Sequence, residues 1–255
     1  MSEPPDRQFI RMKFGNRTQL DVGVTIMIGS GNSPIRDLLL VHIVFAVLCV
    51  VVLLIPSLVI GAKMFILVVS YNVIIPVVGY LRNHMEWIAM WFFAFMLSIF
   101  MIWPDWFLSS QLGVLVFPND GFFMIGPVSG YMAGLWSIPL FVLIFVGAEV
   151  SKRRSYSLTY LIIAVLTLLI FGLAEATMWM LPSWHAQNVT MIGNVAVYII
   201  LPEIFLGIST FFCFTLVRTR SIWWRILGAF TVMILYMGNV SFFYFLIEQV
   251  LPSIL

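Results

Sequence analysis

Apolar residues fill seven long stretches of the chain, at about 38–60, 64–81, 86–103, 129–149, 157–181, 192–217 and 222–250, with only isolated polar side chains inside each. Each stretch approaches the about 20 residues that a helix needs to cross the hydrocarbon layer of a bilayer. The runs are too long and too evenly apolar for the alternating strands of a membrane barrel. A helix also satisfies its own backbone in lipid one segment at a time. The pattern therefore predicts an all-α polytopic protein, a bundle of seven transmembrane helices spanning 37–255 behind a cytoplasmic tail at 1–36. One connection stands apart. The segment at about 104–128, PDWFLSSQLGVLVFPNDGFFMIGPV, is too apolar for a solvated loop, and Pro118-Asn119-Asp120-Gly121 supplies turn chemistry near its end. It is expected to form a short re-entrant or surface-lying helix, a lid over the outer side.

Composition agrees with this reading. Hydrophobic residues make up 62% of the 255, charged residues 9%, and the mean hydropathy is +1.07. That balance is far outside the soluble range and marks a multi-pass integral membrane protein, of a bacterial inner membrane or a eukaryotic organelle or ER membrane. The formal net charge is only +2, so no nucleic-acid partner is expected. Residues 1–35 lack the apolar core of a cleaved signal, and the first helix is expected to act as the insertion signal. Cys49 and Cys213 both lie in apolar runs, which excludes a disulfide framework.

The position of the basic residues gives a direction. Arg7, Arg11, Lys13, Arg17 and Arg36, then Arg82, Lys152, Arg153, Arg154, Arg218, Arg220 and Arg225 all fall on one side of a seven-helix arrangement. Only Lys63 falls on the other. Positive residues are retained on the cytoplasmic side, so the N-terminus is expected inside and the C-terminus on the opposite side. Receptors of the rhodopsin type run the other way. A retinal protein needs a Schiff-base lysine in its last helix, where this chain has none.

The acids are the chemically informative residues. Glu3, Asp6, Asp21, Asp37 and Glu86 fall in the tail or at inner helix ends, ordinary solvated or helix-start positions, and Glu149 is expected to pair with Lys152 or Arg153. The other five, Asp105, Asp120, Glu175, Glu203 and Glu248, map to the outer half or outer loops. Counting from the start of its apolar run, Glu203 lies about eleven residues deep, roughly 16 Å, and Glu175 lies roughly 9 Å from the outer end of the fifth helix. An ionised carboxylate at the centre of a membrane helix costs about 2.5 to 3.5 kcal/mol. Such acids face the bundle interior and find partners or keep their protons. Pro202 frees a backbone carbonyl beside Glu203 and invites a kink.

Other polar groups occupy the same runs: His42, Asn72, Asn194, Tyr198 and Asn239. An interfacial belt accounts for most of the nine tryptophans, but Trp136 lies about seven residues inside the fourth run, too deep for a belt. Trp179 follows Glu175 by four residues, which would place both on one helix face. Gly126, Gly130 and Gly134 form a small-xxx-small series suited to close helix packing.

Two short motifs carry a resemblance. With GLWSIP around Trp136, and LPEIFLG followed by STFF around Glu203, the chain resembles the small integral-membrane lycopene cyclases and carotenoid hydratases, and more loosely the seven-helix membrane terpene cyclases of meroterpenoid pathways. Those families carry a G-x-W-type motif and a Pro-Glu motif in apolar helices. Glu203 matches the motif acid and Trp136 the motif tryptophan. Ile204 follows Glu203 where the lycopene-cyclase pattern has a second acid. The resemblance implies redox-neutral, acid-initiated cyclisation or hydration of a long isoprenoid, a hydrophobic substrate drawn from among the membrane lipids. A carboxylic acid that holds its proton in apolar surroundings can deliver it to an alkene or epoxide, and aromatic faces stabilise the resulting cation while water is excluded.

On this reading Glu203 is the proton donor or cation stabiliser, Glu175 the second acid, and Asp105 or Asp120 the acid at the mouth beneath the lid. Trp136, Trp179 and Trp106 line the path of the cation. His42, Asn72 and Tyr198 are the hydrogen-bond partners that set the protonation state of the acid. No cofactor or metal is expected, since the chain has no Walker loop, GxGxxG, HExxH, GxSxG or paired Asp-rich motif. Two other classes stay open on the sequence: a proton-coupled carrier built on Glu175, Glu203 and the helix prolines Pro76, Pro139 and Pro202, and a non-enzymatic membrane subunit or assembly factor.

Overall fold

A computed structural model of the protein describes residues 33–254. Arg7, Arg11, Lys13 and Arg17, and nearly all of the expected tail, lie outside the described residues. The described chain opens with α1 (Pro34–Leu53), whose start is written locally: Pro34 occupies the first turn, and the Ser33 hydroxyl accepts from the Arg36 amide at 3.5 Å. Next come α2 (Ile60–Leu81), α3 (Met85–Phe100) and α4 (Ile102–Trp106), the last continuing through a π turn at Phe107–Gln111. Three two-residue strands follow, β1 (Leu115–Val116), β2 (Met124–Ile125) and β3 (Val128–Ser129). The chain then forms α5 (Met132–Leu135), α6 (Ser137–Ser151) and α7 (Tyr156–Thr177), and a 3₁₀ turn at Met178–Met180. After β4 (His185–Ala186), β5 (Met191–Ile192) and β6 (Val195–Ala196), it ends in α8 (Val197–Val217), α9 (Ile222–Tyr244), a second π turn and α10 (Leu251–Ile254).

Seven helical segments are long and apolar enough to cross a membrane: Pro34–Leu53, Ile60–Leu81, Met85–Gln111, Met132–Ser151, Tyr156–Met180, Val197–Val217 and Ile222–Ile254. Within the bundle α3 packs against α2, α6 and α9, and α8 packs against α6, α7 and α9, while α1 rests on α2. Half of the hydrophobic window of the α5–α6 span is buried, and half of the α8 window, against 22% for the α7 and α9 spans. The outward faces of those last two carry Leu161, Leu169 and Leu173 on α7, and Leu227, Ile234 and Leu235 on α9, all exposed. Helices that are apolar all round yet buried on one side only are built for a lipid surround.

The segment after Trp103 departs from expectation. Residues 104–111 prolong the third span rather than forming a separate lid helix, and the rest of the lid consists of short strands and turns. The β2–β3 turn is Gly126-Pro127, with Gly126 at φ +60, so the Gly126–Gly130–Gly134 series is not one helical face. Only Gly134 is helical, and there Val68 of α2 takes the space of a side chain. A second turn explains another difference. Met191–Ala196 is a hairpin turned at Gly193-Asn194, with Gly193 at φ +63, so α8 starts at Val197 and Asn194 is not in a membrane helix.

At the end of the bundle opposite the strands, Asp37 is buried rather than solvated. Its carboxylate accepts from Arg82 Nε at 2.9 Å and Nη2 at 3.2 Å, and lies 2.9 Å from His84 Nε2. One acid on α1 thus clamps the α2–α3 turn. Asp37→Ala is expected to lower the Tm by several degrees in detergent, with Asp37→Asn recovering part of the loss because an amide oxygen still accepts from Arg82. Glu149 pairs with Lys152 at 2.6 Å, as its spacing suggested.

Candidate functional site

Near the strand-bearing end the helices separate around a cavity of about 290 Å³. Each wall is written as a helical stripe. From the fourth span come Leu135, Ile138, Pro139 and Val142; from the fifth span, Ile170, Phe171, Ala174, Glu175 and Met178. Both sets recur every three to four residues, as one face of a helix does. One turn of α8 supplies Ile199 and Glu203, Tyr198 adjoins them, Tyr236 projects from α9, and Asp105 reaches in from α4. The lining thus holds three carboxyl groups and six aromatic rings, those of Phe117, Trp136, Phe171, Trp184, Tyr198 and Tyr236, and no lysine, arginine or histidine.

The three acids differ in their partners. Trp136 donates its indole N–H to Asp105 Oδ2 at 3.1 Å, and Trp184 donates to Glu175 Oε1 at 2.9 Å. Glu203 is 3% exposed and accepts no hydrogen bond among the described residues. Its carboxyl group lines the cavity, where Glu175 is the charge that acts on it. Glu203 lies six residues below the start of α8, roughly 9 Å, not at the depth counted from the apolar run. Glu175 is at a similar distance from the far end of its own span, which is why acids on α7 and α8 meet in one layer.

Trp136 occupies the break between α5 and α6, and a polar knot holds that break. Asn72 donates to the carbonyl oxygens of Val68 at 2.8 Å and Gly134 at 3.2 Å. Its own oxygen accepts from Trp91 at 3.0 Å and from Ser137 at 2.8 Å. Asn72 therefore positions the turn that carries Trp136, and does not itself line the cavity.

The expected site residues divide accordingly. Glu203, Glu175, Asp105, Trp136 and Tyr198 line the cavity together. Trp179 does not share the inward face of Glu175: α7 ends at Thr177, the chain tightens into the 3₁₀ turn, and the indole ends 48% exposed, donating to the Ala176 carbonyl. Trp106 packs under the β2–β3 turn, where its ring fills the place a Gly126 side chain would take. His42 is held between α1 and α2, with Nδ1 donating to the Leu38 carbonyl at 2.9 Å and Nε2 3.2 Å from the Tyr71 hydroxyl. Four aromatic lining residues escaped the sequence reading of the site: Phe117, read only as part of the lid segment, Trp184, hidden among belt tryptophans, Tyr236, and Phe171. Among the described residues, no three His, Cys, Asp or Glu side chains converge as metal ligands; the cavity acids are spread around its wall.

Asp120 serves the lid. Its Oδ1 accepts from the Phe122 amide at 2.9 Å, its backbone carbonyl accepts from Gly61 at the start of α2 at 3.0 Å, and it is 3% exposed. Asp120→Ala is expected to cost about 1 to 2 kcal/mol of stability through the lost turn bond, while the activity of the folded fraction is retained. The lid closes over the cavity because β1 pairs with β4, Leu115 opposite Ala186 and Val116 opposite His185, which carries Leu115, Phe117 and Trp184 over the mouth.

A family model described as a domain of unknown function (DUF6989) matches residues 102–247. The matched stretch includes Asp105, Glu175 and Glu203, together with Trp136, Trp184 and Tyr236. No curated protein and no solved structure matches the chain.

Proposed function

We propose, for a chain that belongs to the DUF6989 family, the role of an integral-membrane enzyme that starts the cyclisation or hydration of an isoprenoid by proton transfer from Glu203. The observation that carries this reading is the pairing pattern: one carboxyl group that accepts no hydrogen bond among the described residues, facing an aromatic cavity that contains no basic residue. The Glu203 proton passes to an alkene or epoxide, and a carbocation forms on the substrate. A second double bond attacks the cation, a ring C–C bond closes, and loss of a C–H proton to a carboxylate ends the sequence, leaving a product isomeric with its precursor. Capture of the cation by water gives the hydrated product instead. The rings of Trp136, Phe171, Tyr198 and Tyr236 offer their faces to the cation, the interaction that quadrupoles supply best where water is scarce. Asp105 and Glu175, already accepting indole N–H bonds, serve as the charge-stabilising and proton-accepting groups.

In this reading the strand-bearing end faces away from the cytoplasm and the Asp37 end faces it, since Lys152, Arg153, Arg154, Arg218 and Arg220 follow the spans that finish there and Arg225 lies in the first turn of the span that starts there. A carrier would need a path through that second end. Beyond the cavity, Leu140, Phe141, Leu143, Ile144 and Phe145 of α6 are packed with at most 3% exposure, which favours an enzyme over a carrier. The test is mass spectrometry of lipid extracts from a polyprenyl-producing host, with and without this protein. A new isomer of the precursor identifies a cyclase or isomerase, and a gain of one water identifies a hydratase. Unchanged extracts shift the reading to carrier or structural subunit.

A further inference from the structure

Four tyrosines are buried among the described residues: Tyr71, Tyr131, Tyr198 and Tyr236. Buried hydroxyl groups are ordinarily hydrogen-bonded, because an unpaired one forfeits the bond it made in water. Two of the four obey this rule. Tyr71 Oη lies 3.2 Å from His42 Nε2, and Tyr131 donates to the Ser183 carbonyl at 3.3 Å. The other two, Tyr198 and Tyr236, hold no hydrogen bond among the described residues, and these are the two that line the acid cavity. Neither hydroxyl is sealed within packed atoms. Each residue is only 2% exposed, so the open space its hydroxyl meets belongs to the cavity it lines.

Packing holds both rings without help from their hydroxyls. Tyr198 meets Tyr244 edge to face, with ring centroids 5.5 Å apart, and Tyr236 meets Trp136 in the same way at 6.1 Å. Glu203 is the third polar side chain of the lining that holds no hydrogen bond among the described residues, and its charge acts on both tyrosines. The other two acids are paired, Asp105 with Trp136 and Glu175 with Trp184. A phenol O–H donates, and so does a carboxyl group that holds its proton. The cavity thus offers its guest three unused donors and no lysine, arginine or histidine. We propose that Tyr198, Tyr236 and Glu203 form the subsite for an uncharged acceptor oxygen, so that the guest is an oxygenated isoprenoid with a carbonyl or ether group rather than a bare hydrocarbon. The inference rests on the isoprenoid reading of the acid cavity, but it requires binding only, not turnover.

Equilibrium binding to the full chain in nanodiscs, measured against empty nanodiscs, tests it with three probes of one length, short enough for a cavity of about 290 Å³. They are geranylacetone, the hydrocarbon in which a methylene group replaces its carbonyl oxygen, and the amine in which an amino group replaces it. The ketone is expected to bind about tenfold more tightly than the hydrocarbon, the worth of one or two net hydrogen bonds. The Tyr198→Phe/Tyr236→Phe variant is expected to lose most of that preference and to keep the affinity for the hydrocarbon. Its Tm should be unchanged, because both rings remain and neither hydroxyl supports a bond. Ala174→Phe, which fills the acid cavity, is expected to abolish binding of all three. Equal binding of ketone and hydrocarbon, the result if the hydroxyls hold only water, overturns the subsite and leaves the isoprenoid reading standing. Tightest binding of the amine, a preference undiminished in the double variant, or binding that survives Ala174→Phe also overturns the subsite. Absence of binding by every probe overturns it together with the isoprenoid reading. Preferred binding of the ketone without any product in lipid extracts supports the subsite and removes only the enzymatic reading.

Discussion

Glu203→Gln is expected to lower product formation about a thousandfold, within the range that a general acid contributes, while thermal stability in detergent stays close to that of the unaltered protein. The second half of that expectation comes from the geometry. The Glu203 carboxyl group holds no hydrogen bond to the protein among the described residues, so an amide of nearly the same shape breaks nothing that supports the fold. What it removes is the transferable proton. Glu175→Gln and Asp105→Asn are informative companions, because an amide oxygen still accepts from Trp184 or Trp136 and only the carboxylate charge is lost. Full turnover by Glu203→Gln, with normal expression, would end the proposal that this residue starts the chemistry. A variant that fails to fold would make Glu203 a structural group instead.

Gly207→Val is expected to cost about 3 kcal/mol of stability, at the upper end of overpacking penalties in a close-packed core. Gly207 follows Glu203 by one turn on the same face of α8, and a side chain there would collide with the Thr167 side chain on α7. Thr167 is fully buried and its hydroxyl is already bound to the Ile163 carbonyl at 2.7 Å, so it has little room to yield. Without a side chain at 207 the two helices approach closely below the cavity, and that contact holds Glu175 and Glu203 at the same level. Gly172→Val is the control: nothing lies within 4 Å of the Cβ it would add, and its Tm should move little. Equal tolerance of both substitutions would show that the α7–α8 approach does not depend on glycine.

The fold was legible where physics acts locally. Hydrocarbon thickness fixes helix length, so seven apolar runs gave seven spans, and an acid inside such a run is rare enough to point at a cavity. The depth of Glu203 was not legible, because Met191–Ala196 is as apolar as the helix it precedes and only the turn at Gly193-Asn194 separates them. Trp179 was chosen over Trp184 because spacing of four residues places two side chains together only while a helix continues, and α7 stops two residues short of Trp179. Trp184 reaches Glu175 through a loop that β1 pairing holds in place, a contact no periodicity encodes. Asp37 read as a solvated end residue because its partners, Arg82 and His84, lie 45 and 47 positions away. Asn72 read as a member of the site for the opposite reason: a polar side chain in an apolar run looks functional until the carbonyl oxygens and side chains that satisfy it are seen.

Of nine tryptophans, Trp136 and Trp184 alone line the acid cavity among the described residues, each with its N–H bound to a carboxyl oxygen. Indole emission shifts in colour and intensity with the charge beside the ring and with the solvent it meets. The pair therefore forms a built-in optical reporter, in which the arrival of a guest, or the movement of a proton on Asp105 or Glu175, is written directly into the ultraviolet spectrum of the unlabelled protein.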